Sequence, residues 1–302
     1  MLEFVRARLW VLITAWFVVI SLMRLSSYAA TGEPGYDGML YRAATIRWLE
    51  GGDPWQIPES GAIFGAPPPT LLAMLPFAIL PEVLARPLLL ALGVAATVWM
   101  IRRLKLPLWW LAFPPLVDGL WIGNPHVFVA PLLVAGVAPL ATLVKVYAGA
   151  VPAIRLDWKQ LAMTAALLLV TFPLLPWGLF LERWPVVSQA FSDYTAGGGL
   201  SVWVTPLLIP VALVAGLLLG RERLAWWSIP VFWPYTQWYY SSVVLPVLTP
   251  LAAVALSVPV PGATTVALVI ALAEAYWTGR QQRRAGRLQE QPNPHPVLFS
   301  PE

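Results

Sequence analysis

Residues 83–101 read VLARPLLLALGVAATVWMI, and directly after them come Arg102, Arg103 and Lys105. A helix needs roughly 17 to 25 predominantly apolar residues to cross a hydrocarbon core, and this run supplies them. Cations crowded at one end mark the cytoplasmic side of a span. Residues 9–23, 161–181, 202–220 and 263–278 are runs of the same kind. None alternates polar and apolar positions over about ten residues, as the strands of a membrane barrel do. In lipid each segment must then satisfy its own backbone hydrogen bonds, which makes it a helix. The expected fold class is an all-α polytopic membrane protein.

Composition points the same way. Apolar residues make up 59% of the 302 and charged residues 11%, against about a quarter charged in a soluble domain. So few charges cannot cover a water-facing surface. The formal charge of +4 arises mainly from clusters beside spans: Arg6 with Arg8, Arg102 and Arg103 with Lys105, Arg155 with Lys159, Arg221 with Arg223, and the tail from Arg280 to Arg287. These orient the spans and do not make a nucleic-acid patch. Many of the 17 Trp stand near run ends, among them Trp10, Trp48, Trp55, Trp121 and Trp203, as an interfacial belt requires. With no Cys, disulfides, thiolate metal sites and cysteine nucleophiles are excluded. No Asp-x-Asp pair, phosphate loop or nucleophile elbow occurs, so neither a metal nor a cofactor is expected.

With Arg6 and Arg8 inside, the N-terminus is cytoplasmic and the first span delivers residues 31–67 to the outer face. Ser27, Ala29 and Ala30 leave a second reading, a cleaved signal peptide. The first outer loop carries Glu33, Asp37, Arg42, Arg47, Glu50, Asp53 and Glu59. Within it, residues 39–49 place Leu40, Ala44 and Trp48 at four-residue spacing, which predicts a short helix lying on the membrane. Residues 68–80, with Pro76 in their middle, are too short to span and predict an interfacial helix. Residues 106–122 return outward, and 127–154 come back to Arg155. Residues 161–181 lead to a second outer loop, 182–201, with Gly197-Gly198-Gly199. Residues 226–261 read as one kinked span or as two, which puts the polar basic tail, 280–302, inside or outside. The whole is a single transmembrane domain, residues 1–302, of about eight spans within a range of seven to ten, multi-pass in the plasma (cytoplasmic) membrane.

The polar residues each admit two roles. Asp37 caps a helix before Met39, or offers a free carboxylate. Arg42 and Arg47 anchor to lipid headgroups or hold a phosphate. Asp53, in Gly52-Asp53-Pro54, forms a turn or serves a site. Asp118 and Lys145 lie within apolar runs, where an unpaired charge costs several kcal/mol. They pair, snorkel to an interface, or function. His126 caps a turn, binds phosphate or accepts a proton.

Several of these residues fall in motifs. Gly35-Tyr36-Asp37-Gly38-Met39-Leu40-Tyr41-Arg42, followed by Glu50-Gly51-Gly52-Asp53-Pro54-Trp55, resembles the first outer loop of polyprenyl-phosphate-dependent membrane glycosyltransferases of the GT-C class. The resemblance is greatest to glycosyltransferase family 87, the alpha-mannosyltransferase-like proteins. Pro67-Pro68-Pro69-Thr70-Leu71-Leu72, continuing to Pro76, Leu80 and Pro81, is similar to that family's interfacial P-P-L-x-x-L-L-x-x-P-x-x-x-L-P helix. Trp121-Ile122-Gly123-Asn124-Pro125-His126 resembles its G-Q-x-N turn, and Leu143-Val144-Lys145-Val146-Tyr147 its L-x-K-x-Y/P element. Trp233-Pro234-Tyr235-Thr236-Gln237-Trp238-Tyr239-Tyr240-Ser241, ending in Leu245-Pro246, is similar to a late S-P-x-S-W-x-H-H/Y motif. There Tyr239 or Tyr240 stands where family members carry His.

The resemblance implies a GT-C-like helical bundle that transfers a sugar, mannose among the candidates, with inversion. The implied donor is a polyprenyl-phosphate sugar and the acceptor a lipid or glycan, with membrane lipids around them. It implies Asp37 as the base that takes the acceptor hydroxyl's proton. Arg42, Arg47, Asp53, Asp118, Asn124, His126, Lys145, Tyr239 and Tyr240 are the candidate substrate-binding residues. A tyrosine with a pKa near 10 is a poor base at neutral pH, so Tyr239 and Tyr240 enter as hydrogen-bond donors or stacking rings. Two other readings stay open: a transporter or lipid-binding protein without catalysis, and an inactive relative kept as a partner subunit.

Overall fold

A computed structural model describes residues 2–56, 63–195, 201–203, 205–234, 236–260 and 262–289. Glu59, the glycines at 197–199, Tyr235 and the tail beyond 289 lie outside the described residues. Every regular element among the described residues is an α or 3-10 helix.

Helix α1, Leu2–Thr31, has neither Gly nor Pro within it and runs unbroken. One side packs inward: the Phe17 ring is fully buried and lies 5.5 to 6.1 Å from the rings of Trp109, Trp110 and Phe113. The opposite side presents Val11, Leu12, Leu22 and Met23, each 60–67% exposed. A large apolar face turned outward fits contact with lipid. Helix α1 continues unbroken through Ser27, Ala29 and Ala30 and contributes Ile13 and Phe17 to the main core.

Helix α2, Tyr36–Leu49, begins three residues before the expected 39–49. Helix α3, Pro69–Ala78, packs against it, and α4, Glu82–Arg103, follows. Among the described residues, two helices are long and apolar enough to cross a membrane, Arg8–Ala30 and Glu82–Arg103.

The other expected spans are interrupted, each for a local reason. Residues 106–122 divide into a 3-10 helix, Leu108–Ala112, and α5, Pro114–Ile122. Pro114 and Pro115 have no N–H to donate to the preceding turn, so a helix can start there but not pass through. Residues 127–154 divide into α6, Val129–Val134, α7, Ala138–Val144, a 3-10 turn at Val146–Gly149, and α8, Ala150–Arg155. Gly136, at φ 77°, makes the first break, and the extended backbone of Lys145 makes the second.

Residues 161–181 fall within α9, Trp158–Leu174, and α10, Trp177–Thr195. The two meet at a 97° bend and count as a third crossing only if that bend lies within one span. Pro176 sits at the break. The expected second outer loop at 182–201 is therefore helical as far as residue 195, which corrects that boundary. Residues 202–220 hold only α11, Leu208–Leu218, before Gly220 at φ 72° turns into α12, Gly220–Phe232. A 3-10 helix at Trp238–Val247, then α13, Pro250–Leu256, and α14, Ala263–Gln289, complete the order.

Two cores result. The larger gathers Phe17, Trp110, Phe113, Tyr147, Trp227 and Tyr240. The smaller gathers Met39, Tyr41, Trp55, Phe64, Leu71 and Phe180. Where helices meet lipid, packing and buried polar bonds hold them more than exclusion of water does. One such bond joins α1 to α5. Arg24 Nε lies 3.2 Å from Asp118 Oδ1, Tyr28 donates to Asp118 Oδ2 at 2.8 Å, and the guanidinium stands 5.1 Å above the Trp238 ring.

Candidate functional site

The site begins with two glycines. Gly35, at φ 79°, precedes α2, and Gly123, at φ 66°, follows α5; both lie in the left-handed region that side chains disfavour. Gly35 N–H donates to the Trp121 carbonyl at 2.7 Å, and a Cβ on Gly123 would stand 2.9 Å from the Gly35 Cα. The absent side chains let the start of α2 dock on the end of α5. Asp37 thereby meets Asn124.

Asn124 orients the meeting. Its Oδ1 accepts from the His126 N–H at 2.9 Å, so its amide nitrogen faces away and donates to Asp37 Oδ2 at 2.5 Å and to the Tyr239 hydroxyl at 2.9 Å. Asp37 is not the N-cap of α2; that position is Gly35, and the capping alternative is corrected accordingly. Burial lifts the Asp37 carboxyl above the ordinary carboxylate range, while the Asn124 bond and the Lys145 charge pull it down.

Four residues on along α2, and so on the same face, is Tyr41. Its hydroxyl accepts from Lys145 Nζ, which also lies 4.4 Å from the centre of the Tyr41 ring. Lys145 is 4% exposed, so it does not snorkel to an interface. Thr70 of α3 donates to the Val144 carbonyl at 3.0 Å, where α7 ends and the chain straightens through Lys145.

His126 is buried between hydroxyls. Nδ1 pairs with Tyr147 and Nε2 with Ser242 at 3.1 Å, while the Tyr240 ring stacks on the imidazole at 4.6 Å and 14°. With both nitrogens engaged, His126 orients its neighbours. Tyr239, Tyr240 and Ser242 come from the 3-10 helix at Trp238–Val247. Runs of that helix longer than three or four residues are uncommon, and this one covers ten.

Beside the cluster lies a cavity of about 280 Å³. Tyr41, Lys145, Tyr147 and Tyr240 form its polar end, and Trp177, Phe180, Trp184 and Trp233 wall the rest. Neither Asp37 nor His126 is among its lining residues.

Of the residues singled out in the sequence, Asp37, Asn124, His126, Lys145, Tyr239 and Tyr240 come together. The other four lie elsewhere. Arg42 donates to the Phe77 carbonyl at 3.0 Å and the Leu80 carbonyl at 2.6 Å, closing the end of α3. Arg47 donates to the Gln56 carbonyl at 3.2 Å. Asp53 accepts from the Trp55 N–H at 2.9 Å as a turn former and pairs with Arg183 at 2.6 Å. Asp118 belongs to the Arg24 pair.

Sequence reasoning missed Tyr41, Tyr147, Ser242 and Arg24. The spacing of Tyr41 from Asp37 along one helix was the available signal. Among the described residues, no three of His, Asp and Glu gather as metal ligands do. No protein-family model matches the chain, and neither a curated protein nor a solved structure does.

Proposed function

We propose that the chain is a multi-pass GT-C-like membrane glycosyltransferase, N-terminus cytoplasmic, that uses a polyprenyl-phosphate sugar. One observation carries this reading. Residues from four separated motifs, Asp37, Asn124, Lys145 and the Tyr239–Tyr240 pair, meet in one polar cluster inside an otherwise apolar bundle, next to an aromatic cavity. Buried polar groups in such surroundings are costly, and function is the usual reason for keeping them. The short, broken helices suit a bundle whose irregular backbone lines a cavity.

In the proposed reaction an acceptor hydroxyl oxygen attacks the anomeric carbon from the face opposite the phosphate. The C–O bond to phosphate breaks, its electron pair stays on the polyprenyl phosphate, and the hydroxyl proton passes to Asp37. Lys145 stabilises the departing phosphate, with the Tyr41, Tyr147 and Tyr240 hydroxyls as donors around it. A carboxyl raised toward neutrality suits the base. Purified protein given polyprenyl-phosphate mannose and a lipid or glycan acceptor should transfer the sugar. Asp37→Asn should reduce the rate by about 10²- to 10⁴-fold; an unchanged rate removes Asp37 from the mechanism.

A second reading rests on the separation of Asp37 from the cavity wall. A protein that binds a lipid phosphate at Lys145 without transferring anything would bind that donor equally well before and after Asp37→Asn, and would show no turnover.

A further inference from the structure

The end of α4 carries a second site. Arg102 and Arg103 close the helix, and the next turn is a Schellman arrangement: Leu106 N–H donates to the Ile101 carbonyl and Lys105 N–H to the Arg102 carbonyl, both at 3.0 Å. The residue at the turn in such a motif takes a positive φ and is usually glycine. Here it is Lys105, at φ 55°. That conformation costs a side chain energy that glycine would avoid.

Lys105 there lines one groove with both arginines. The groove has a volume of about 630 Å³, and its remaining lining is Ala95, Val98 and Trp99. Val98 with Arg102, and Ala95 with Trp99 and Arg103, follow at four-residue spacing, so they share a strip along one side of the helix. Trp99 is 44% exposed. None of the ion pairs among the described residues includes Arg102, Arg103 or Lys105. Three cations within four residues repel one another until an anion joins them.

We propose that this groove binds one anionic glycerophospholipid. The site does not depend on the transferase reading. Helix α4 has 22 residues, about 33 Å at 1.5 Å per residue, so a crossing α4 puts its last turn at headgroup depth. The lipid phosphate meets Arg102, Arg103 and Lys105, and an acyl chain lies along Trp99, Val98 and Ala95, where the small Ala95 leaves depth. Continuity of the cations with an apolar strip favours a lipid over a free phosphate. The excess of positive charge favours an anionic headgroup over a zwitterionic one, which brings its own ammonium.

The test uses the full chain in detergent, with its melting temperature followed as dioleoyl phosphatidylglycerol, dioleoyl phosphatidylcholine or glycerol 3-phosphate is added. Phosphatidylglycerol should raise the melting temperature saturably, at a midpoint concentration on the order of tenfold below that of phosphatidylcholine. Glycerol 3-phosphate should do nothing. Arg102→Gln combined with Arg103→Gln and Lys105→Gln should abolish the preference. Because those cations also orient the helix in the membrane, Ala95→Trp, which fills the groove and keeps every charge, should weaken the phosphatidylglycerol effect on its own. Equal response to both lipids, a response to glycerol 3-phosphate, or an Ala95→Trp variant that responds like the parent would each overturn the site.

Discussion

Asp37 feels opposed influences: burial raises its carboxyl, and the Asn124 bond with the Lys145 charge lowers it. Because the net folded value lies above the ordinary one near 3.9, ionisation of Asp37 costs the folded state stability as pH rises through the interval between the two. Below that interval the cost is absent. As the proposed base, Asp37 would work only when ionised, so the acid limb of the proposed transfer should lie above the ordinary carboxylate range. Lys145→Met removes the influence that favours the ion and should move that limb to higher pH, besides slowing transfer. A pH–rate profile that keeps its limb in the variant would show that the base does not sense Lys145. These residues were legible in the sequence because a carboxylate, an amide or a lysine stands out among apolar neighbours. Arg42, Arg47 and Asp53 stood out equally, yet their partners are backbone carbonyls, a backbone amide and Arg183, which no pattern of side chains announces. Tyr147 and Ser242 are residue types too common near interfaces to be noticed alone.

Helix positions decide whether those side chains meet. A Cβ on Gly38 would stand 2.7 Å from the Gly123 carbonyl oxygen and 2.2 Å from Leu89 Cδ2. Gly38→Ala must push α2 off α5 and α4, carrying Asp37 with it. A displacement near 1 Å can cost about a hundredfold in rate, so transfer should fall by that order while the protein still folds, as near-normal helical circular dichroism would record. A different element-level bond is the Arg24–Asp118 pair between α1 and α5. Arg24→Met leaves Asp118, 2% exposed, with Tyr28 alone. The loss should be roughly 2 to 4 kcal/mol, toward the low end for buried pairs because Arg24 keeps some exposure, and it should appear as a lower melting temperature in detergent. The helices at α1 and α4 were readable from unbroken apolar runs. The break between α6 and α7 was signalled by the length of its run and by Pro139; those at Lys145 and Pro176 were not, because an apolar run looks alike whether it continues straight or folds back.

For the whole molecule, the sided distribution of charge is a prediction about topology. The chain has no cysteine, so a single introduced thiol reports its own location. Glu50→Cys, exposed beyond α2, should react with an impermeant maleimide added to intact cells. Lys159→Cys, exposed near the start of α9, should react only after permeabilisation. Equal labelling of both from outside would reverse or dissolve the proposed arrangement. The all-helical character was legible from composition, since so apolar a chain must satisfy its backbone internally. The number of crossings was not, because breaks within the runs leave, among the described residues, two helices that meet the length and composition of a span, or three with the bent pair.

The 3-10 helix at Trp238–Val247 has one more consequence. Its repeat is three residues with a rise of about 2.0 Å, so side chains three apart eclipse one another. Tyr239 and Ser242 share one of its three strips. Inserting or deleting a single residue within it turns the strips on one side of the change by about a third of a circle relative to the other, and only changes in multiples of three restore the facing. Even those slide the tyrosines about 6 Å along the axis per three residues, beyond hydrogen-bond reach of Asn124. Mutational drift in this segment is thus confined to replacing side chains at constant length. The loop tips of the same protein, free of that periodicity, can absorb changes in length.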